Sequence, residues 1–277
     1  MKRMITVGVA TALLIAAAVA SAATTGHRSA TLPVLQISET GGTVQVGGTP
    51  QSGATEVDFT TDLPAKNGNT GATIGLIRLK DGVTPEQFEA GIKPDGSNIA
   101  KFGSLDTTVD LSKGQTIKIQ TILKPAQYVV ADLNAPPSSN RHVVMTVAQN
   151  PSPASLPKAD ATFRMKEYKF VGPATVKRGS VVRTENTGHQ QHMAITLKVK
   201  NARAAKRIEA LLRKGKDKQV QKQIKVISNL TDDVSPGAVN QGVLTLPKGT
   251  WVLACFMTNS KGVEHTRLGM ERTLVVK

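Results

Sequence analysis

Short runs in which apolar and polar side chains alternate recur along this chain, with turn residues between them. Before residue 150 they are Thr43–Val46, Glu56–Thr60, Thr116–Gln120 and Tyr128–Asp132. After it they are Thr162–Lys166, Val181–Thr184, Met193–Val199, Gly242–Leu246, Thr250–Phe256 and Arg272–Val276. A period of two over four to eight residues is the signature of a half-buried strand, and many such strands indicate a β-sandwich or barrel. One segment departs from the rhythm. Ala202–Arg213 places Ala205, Ile208, Leu211 and Leu212 at helical spacing, and 217–227 can continue it after Gly215. The expectation is an all-β protein with a helical insertion among the strands of its second half.

The clearest boundary is Gln149–Pro157, where three prolines remove backbone donors and disfavour both helix and central strand. It divides the chain into a sandwich at 23–150, a Pro-rich linker at 151–160 and a second sandwich at 161–277. The halves read as diverged copies. Pro125–Leu133 matches Lys248–Phe256 in its aromatic, paired aliphatics and Ala, with Asp132 at the position of Cys255. Gly53–Leu79 parallels Gly179–Leu197, but no His stands in the turn before Ile74. His142 follows Asp132 by ten residues, as His265 follows Cys255, while Met145 comes only three later. The first half is therefore expected to lack the soft donors of the second.

The chain opens like a secretory signal: Lys2 and Arg3, the apolar stretch Ile5–Val19, then Ala20-Ser21-Ala22 as a small-residue cleavage site. Residues 1–22 are read as a signal peptide removed near Ala22, the stretch being shorter than the about 20 apolar residues of a membrane span. No later segment is long and apolar enough to span, so the mature protein is expected to be secreted or in the cell envelope, periplasmic or extracellular. Charge is uneven. Residues 23–150 carry 10 Lys/Arg against 11 Asp/Glu, and 151–277 carry 23 against 9. Lys198–Lys225 alone hold 11 basic and 2 acidic residues. This segment is either a solvated amphipathic helix or a surface that steers an acidic redox partner or an anionic envelope surface. Nucleic acid is a poor fit, since stacking aromatics are scarce.

The candidate chemistry lies near the C-terminus. Cys255 is the only cysteine, so it forms no intramolecular disulfide, and in an oxidising compartment it must be buried, reactive or metal-bound. His265 and Met270 follow it by ten and fifteen residues, and His189 and His192 stand before the apolar run at 193–197. Thiolate, imidazoles and a thioether are the donor set of copper electron-transfer sites. Singly, each has a bland reading: Cys255 and Met270 as core residues, the histidines as solvated side chains.

From Trp251 to Met270 the sequence resembles the cupredoxins, the blue-copper family that includes plastocyanin and azurin, and the resemblance extends over about 161–277. It implies two Greek-key β-sandwich domains, the first without copper ligands, and one type 1 copper per chain. It also implies a thiolate from Cys255, imidazoles from His265 and His192, and a weak axial Met270. His192 is preferred to His189 because it directly precedes the strand. The loop from Cys255 to His265 is longer than in the smallest cupredoxins, and Met193 follows His192 where the family often has Asn. No nucleophile elbow, phosphate loop or HExxH is present, and five histidines are too few for a multicopper oxidase. The expected function is one-electron transfer without enzymatic turnover. Copper storage or delivery in the envelope, and a metal-free adhesion or scaffold module, are the alternatives.

Overall fold

The computed structural model describes residues 31–65, 71–93, 96–136, 139 and 141–277. The expected signal segment at 1–22 and its cleavage site lie outside them. The first half contains β1 (Val34–Thr40), β2 (Thr43–Gly47), β3 (Gly53–Thr61) and β4 (Ala72–Leu79). The short helices α1 (Pro85–Gly91) and α2 (Ile99–Phe102) come next, then β5 (Gly103–Leu111), β6 (Thr116–Leu123), β7 (Ala126–Asp132) and β8 (His142–Val147). The second half contains β9 (Ala161–Lys166), β10 (Lys169–Val171), β11 (Thr175–Val176), β12 (Val181–Asn186) and β13 (His192–Val199). Helices α3 (Ala202–Arg213) and α4 (Asp217–Gln221) then precede β14 (Ile227–Val234), β15 (Val239–Val243), β16 (Gly249–Ala254) and β17 (Glu271–Val276).

The fold is all-β, as the alternation predicts. Among the described residues three sheets form: β10-β9-β12-β15-β6-β3-β1-β2, β11-β17-β16-β13-β14 and β5-β4-β7-β8. The eight-stranded sheet serves both halves, and each smaller sheet packs on its own end of it. Leu35, Ile37, Val57, Phe59, Ile74, Tyr128 and Val130 fill the first sandwich. Phe163, Met165, Ala194, Trp251, Leu253 and Leu274 fill the second. Strands β13 and β16 are buried on both faces, because Leu197, Val199, Val252 and Ala254 meet Ala205, Ile208 and Leu212 of α3 on the outside. That second cover is why 251–254 is a continuous apolar run rather than an alternating one.

Helices stand in the same place in both halves. α1 and α2 join β4 to β5 as α3 and α4 join β13 to β14, and Phe88 and Ile99 cover the outer face of β4 and β7. The insertion is thus not peculiar to the second sandwich. The sequence signal for α1 is a capping box, in which Thr84 and Gln87 each satisfy the other's backbone amide and Pro85 opens the helix. α4 ends at Gln221, and Ile227 already belongs to β14, so helix does not run through 217–227.

β15 runs from Val239 to Val243 and not from Gly242 to Leu246. Its polar residues are buried where the halves join. Asn240 pairs with Thr121 and Gln241 with Gln120, Asn240 bonds Thr107, and Gln241 Nε2 donates to Gln120 Oε1 at 3.0 Å. Ser235, just past β14, and Leu105 of β5 add two more bonds, the Ser235 amide to Leu105 O and the Leu105 amide to Ser235 Oγ, both 2.8 Å. The Pro-rich stretch is held too: Pro157 O accepts from Arg183 at 2.8 Å and Gln241 at 3.1 Å, and Ala154 O accepts the Ala54 amide at 2.9 Å. A seam of satisfied buried polar groups demands one register.

The ladders align the two halves residue by residue. Gly75 faces Ala131 as Ile195 faces Ala254, which sets Asp132 where Cys255 stands and Ala72 where His192 stands. Ala131 faces His142 as Ala254 faces Glu271, so His142 corresponds to Glu271 and Arg141 to Met270. Spacing alone had matched His142 with His265. Among the described residues of the first half, His265 has no counterpart. The equivalent position is ionic instead: Arg141 pairs with both Asp132 and Glu39, whose carboxylates are fully buried. His142 turns away to Glu89 at 2.8 Å.

Removing one member of a buried ion cluster leaves uncompensated charge, a loss of about 3–5 kcal/mol. Arg141→Ala is therefore expected to lower unfolding free energy by about that amount in a denaturant titration. A change under about 1 kcal/mol, the level of an exposed pair, would contradict this account of the cluster.

Candidate metal centre

Cys255, His192 and His265 arrive by different routes at one end of the second sandwich. β16 delivers Cys255 one residue beyond its last ladder position, where the Cys255 amide bonds Met270 O at 3.1 Å. β13 begins at His192, with a register shift between His192 and Ala194 against β14. Before it, Asn186 holds the turn together: its Nδ2 donates to Gln190 O at 2.8 Å and Val234 O at 2.9 Å, and its Oδ1 accepts the Gly188 amide at 3.1 Å. The loop after Cys255 closes on itself, since Asn259 Oδ1 accepts the amides of Lys261 and Val263, each at 3.0 Å. A 3₁₀ turn at His265–Leu268 follows, capped by Gly269 at φ 98°. The left-handed backbone there suits glycine and sends the chain back as Met270, whose amide bonds His265 O at 3.0 Å.

Nδ1 of His192 and Nδ1 of His265 lie 3.2 Å apart, and Cys255 Sγ lies 3.8 Å from the first and 3.4 Å from the second. All three residues are completely buried. Three donors at these separations share a centre about 2 Å from each, the length of a metal–imidazole bond and close to that of a metal–thiolate bond. Met270 is also fully buried and belongs to the same apolar cluster as Cys255. His189, by contrast, is exposed, so the structure gathers His192 and leaves His189 outside. Among the described residues this is the only group of three or more His, Cys, Asp or Glu donors with metal-site spacing.

The pocket is hostile to protons and charge. Burial pushes the Cys255 thiol up to about 12. Burial, and then the neighbouring His265, pull His192 down to about 4. Burial lowers His265 as well. Both Nε2 atoms are buried without a hydrogen-bond partner. Two neutral imidazoles and a thiol in an apolar recess offer lone pairs and little else, which is the donor chemistry of a soft transition-metal site.

Sequence reading missed the residues around these donors. Tyr168 stands edge-on to His265 with ring centroids 5.2 Å apart. Glu167 accepts the amides of His189 and Gln190, the latter at 3.2 Å. Burial opposes ionisation of Glu167, yet the His189 amide and the nearby imidazoles hold its carboxyl below the usual range. Asn186 carried a legible signal, an Asn-Thr-Gly turn; Glu167 and Tyr168 carried none.

No protein-family model and no curated protein matches this chain. Among solved structures it is similar to the dithionite-reduced auracyanin of Roseiflexus castenholzii, at 19% identity and TM-score 0.26 over 42% of this chain and 94% of that one. It is similar to auracyanin A, a blue copper protein of Chloroflexus aurantiacus, at 17% and 0.24 over 42% and 99%. A copper nitrite reductase of Nitrosomonas europaea aligns at 11% and 0.24 over 88% of this chain and 93% of its own. The convergence of the three donors, rather than these likenesses, carries the functional reading.

Protonation makes the donor set testable. A metal must expel the Cys255 proton, whereas His192 is neutral above about pH 4 and His265 is also shifted toward neutrality. Copper(I) affinity is therefore expected to rise about tenfold per pH unit between pH 7 and 9, with one proton released per ion. Competition titrations against a chelator at several pH values measure the slope. A slope near zero would show that the thiolate is not a ligand, and a slope near three that the imidazoles were charged.

Proposed function

We propose that this chain is an exported electron carrier that binds one copper ion through His192 Nδ1, His265 Nδ1 and Cys255 Sγ, with Met270 as a weak fourth ligand. The observation that supports it is the buried 3.2–3.8 Å triangle of donor atoms. Bound there, copper would supply one-electron exchange between Cu(I) and Cu(II), states that a mixed thiolate, imidazole and thioether set accommodates together. The chain's part is to hold the donors so that neither state requires rearrangement. β13 and β16 pair directly, Ile195 facing Ala254, and the loop between Cys255 and Met270 is fastened at both ends by backbone bonds. Trp251, Leu253, Val234 and Met165 exclude water from beneath.

Export is supported by the signal-like composition of residues 1–22, and no described helix is long and apolar enough to cross a membrane. The outer face of α3 and α4 offers a docking surface for an acidic electron partner. Arg203, Arg207, Lys214 and Lys218 are exposed there. Lys206 and Arg213 are not free to serve, since they pair with the buried Glu209 and Glu271. Storage or delivery of copper is the second reading, favoured by the half-buried Met193 and Met257 beside the core.

Titration with Cu(II) is expected to give a blue thiolate charge-transfer band at one ion per chain. Cys255→Ser should abolish it and lower Cu(I) affinity by more than about 100-fold, beyond the loss typical of outer-shell changes, while the circular dichroism of the β fold persists. Tight Cu(I) binding without the band would establish storage, and no binding would leave a structural module. Replacing Arg203, Arg207, Lys214 and Lys218 with Gln should slow association with an acidic redox partner and flatten its salt dependence, since exposed charges act over about 8–10 Å at moderate ionic strength. An unchanged rate at every salt concentration would mark the helices as a solvated face.

A further inference from the structure

One two-residue turn reaches both imidazoles. Lys166 pairs with Lys169 in the β9–β10 hairpin, leaving Glu167 and Tyr168 at its tip. Tyr168 has φ 59°, left-handed backbone uncommon for a bulky residue. Its ring packs edge-on against His265, and its hydroxyl accepts from Gln190 at 3.1 Å and Asn259 at 3.5 Å. Those contacts fix the turn, and with it the direction of Glu167.

Glu167 Oε1 is anchored by the His189 and Gln190 amides and stands 3.9 Å from His192 Nε2. That nitrogen is buried and has no hydrogen-bond partner. The space between is kept open by Gly188, where a Cβ would come 2.5 Å from Glu167 Oε1 and 2.9 Å from His192 Nε2. A neutral imidazole carries its proton on one nitrogen and its lone pair on the other. For Nδ1 to serve as a donor, the proton must sit on Nε2, facing the carboxylate.

We propose that Glu167 is a positioning residue for His192: it accepts the Nε2 hydrogen bond and so fixes both the tautomer and the ring plane that present Nδ1 to copper. The proposal rests on the copper reading for its role in binding, but not for the tautomer itself. A rotation of the imidazole that brings Nε2 about 1 Å nearer turns the 3.9 Å approach into a hydrogen bond. A carboxylate in that position raises the basicity of the ligand it contacts, which favours Cu(II) over Cu(I).

The test uses the full chain as wild type, Glu167→Gln, Glu167→Ala and Gly188→Ala. Glu167→Gln keeps a neutral acceptor for the anchoring amides, and thermal melts report whether each variant folds. In metal-free protein at one pH, ¹⁵N shifts of the His192 ring are expected to show the Nε2–H tautomer in wild type. The alanine variants should show a population moved toward Nδ1–H. In the copper-loaded protein, each variant should lose about 10–100-fold in Cu(II) affinity and less in Cu(I) affinity. The reduction potential should then rise by about 59 mV for each tenfold of difference. An unchanged tautomer in both Glu167→Ala and Gly188→Ala overturns the proposal whatever copper does. Failure of the wild type to bind either ion overturns the copper reading alone, and the metal-free spectra still decide the role of Glu167.

Discussion

Each sandwich ends a central strand with a buried side chain at the same position, and the groups gathered around it follow from whether that side chain is a carboxylate or a thiol. A buried polar group without partners costs several kcal/mol. In the first half the side chain is Asp132, answered by Arg141, which also takes Glu39. The backbone supports it as well, the amides of Thr73 and Asn134 each donating to Asp132 Oδ1 at 3.0 Å. In the second half it is Cys255, and the equivalent backbone group, the Met193 amide, points at Sγ from 3.4 Å. One scaffold position thus carries a salt bridge in one copy and a convergent set of soft donors in the other. In the first half both buried carboxylates are answered by one guanidinium. The other has two imidazole nitrogens and a sulfur facing a common point, an arrangement that a cation completes.

The helices and the seam make that position rigid. α3 covers the outer face of the strands carrying Cys255 and His192, and its Glu209 accepts from Thr273 of β17 at 2.6 Å. Arg213 at the helix end pairs with Glu271, the residue after Met270. Loop, helix and strand are therefore tied at consecutive points around the donors. Joining β15 to β6 extends this support into the first sandwich, whose own core is closed by the ionic cluster. A site whose donors keep their places through a change of charge needs such surroundings.

Legibility in the sequence tracked how local each signal was. Trp251–Ala254 was readable because burial on both faces leaves an unbroken apolar run. α3 was readable from the spacing of Ala205, Ile208 and Leu212. β15 was displaced by three residues because Asn240 and Gln241 look like turn residues until Thr107, Gln120 and Thr121 are brought beside them from the other half. The false match of His142 with His265 has a similar origin. Nine positions separate Asp132 from Arg141 and fifteen separate Cys255 from Met270, so counting forward from the strand end ignores an inserted 3₁₀ turn. Only the ladder pairing shows that His142 answers to Glu271. The donors were readable as residue types at plausible spacing, whereas Glu167 and Tyr168, 25 and 24 positions before His192, were not.

Complete burial of both imidazoles bears on how electrons would enter and leave. An electron path needs a thin barrier, and here Tyr168, half-buried, packs edge-on against the His265 ring. On the chain's own side, Leu268 in the turn that carries His265 is 40% exposed, a small apolar rim of the kind a transient partner can cover without forming strong bonds. The basic face of α3 and α4 lies beside this turn, Arg267 resting against Gly215 at the end of α3. In the proposed role, charge next to an apolar rim would separate two tasks: the long-range field would bring an acidic partner close, and the weak rim would let it go.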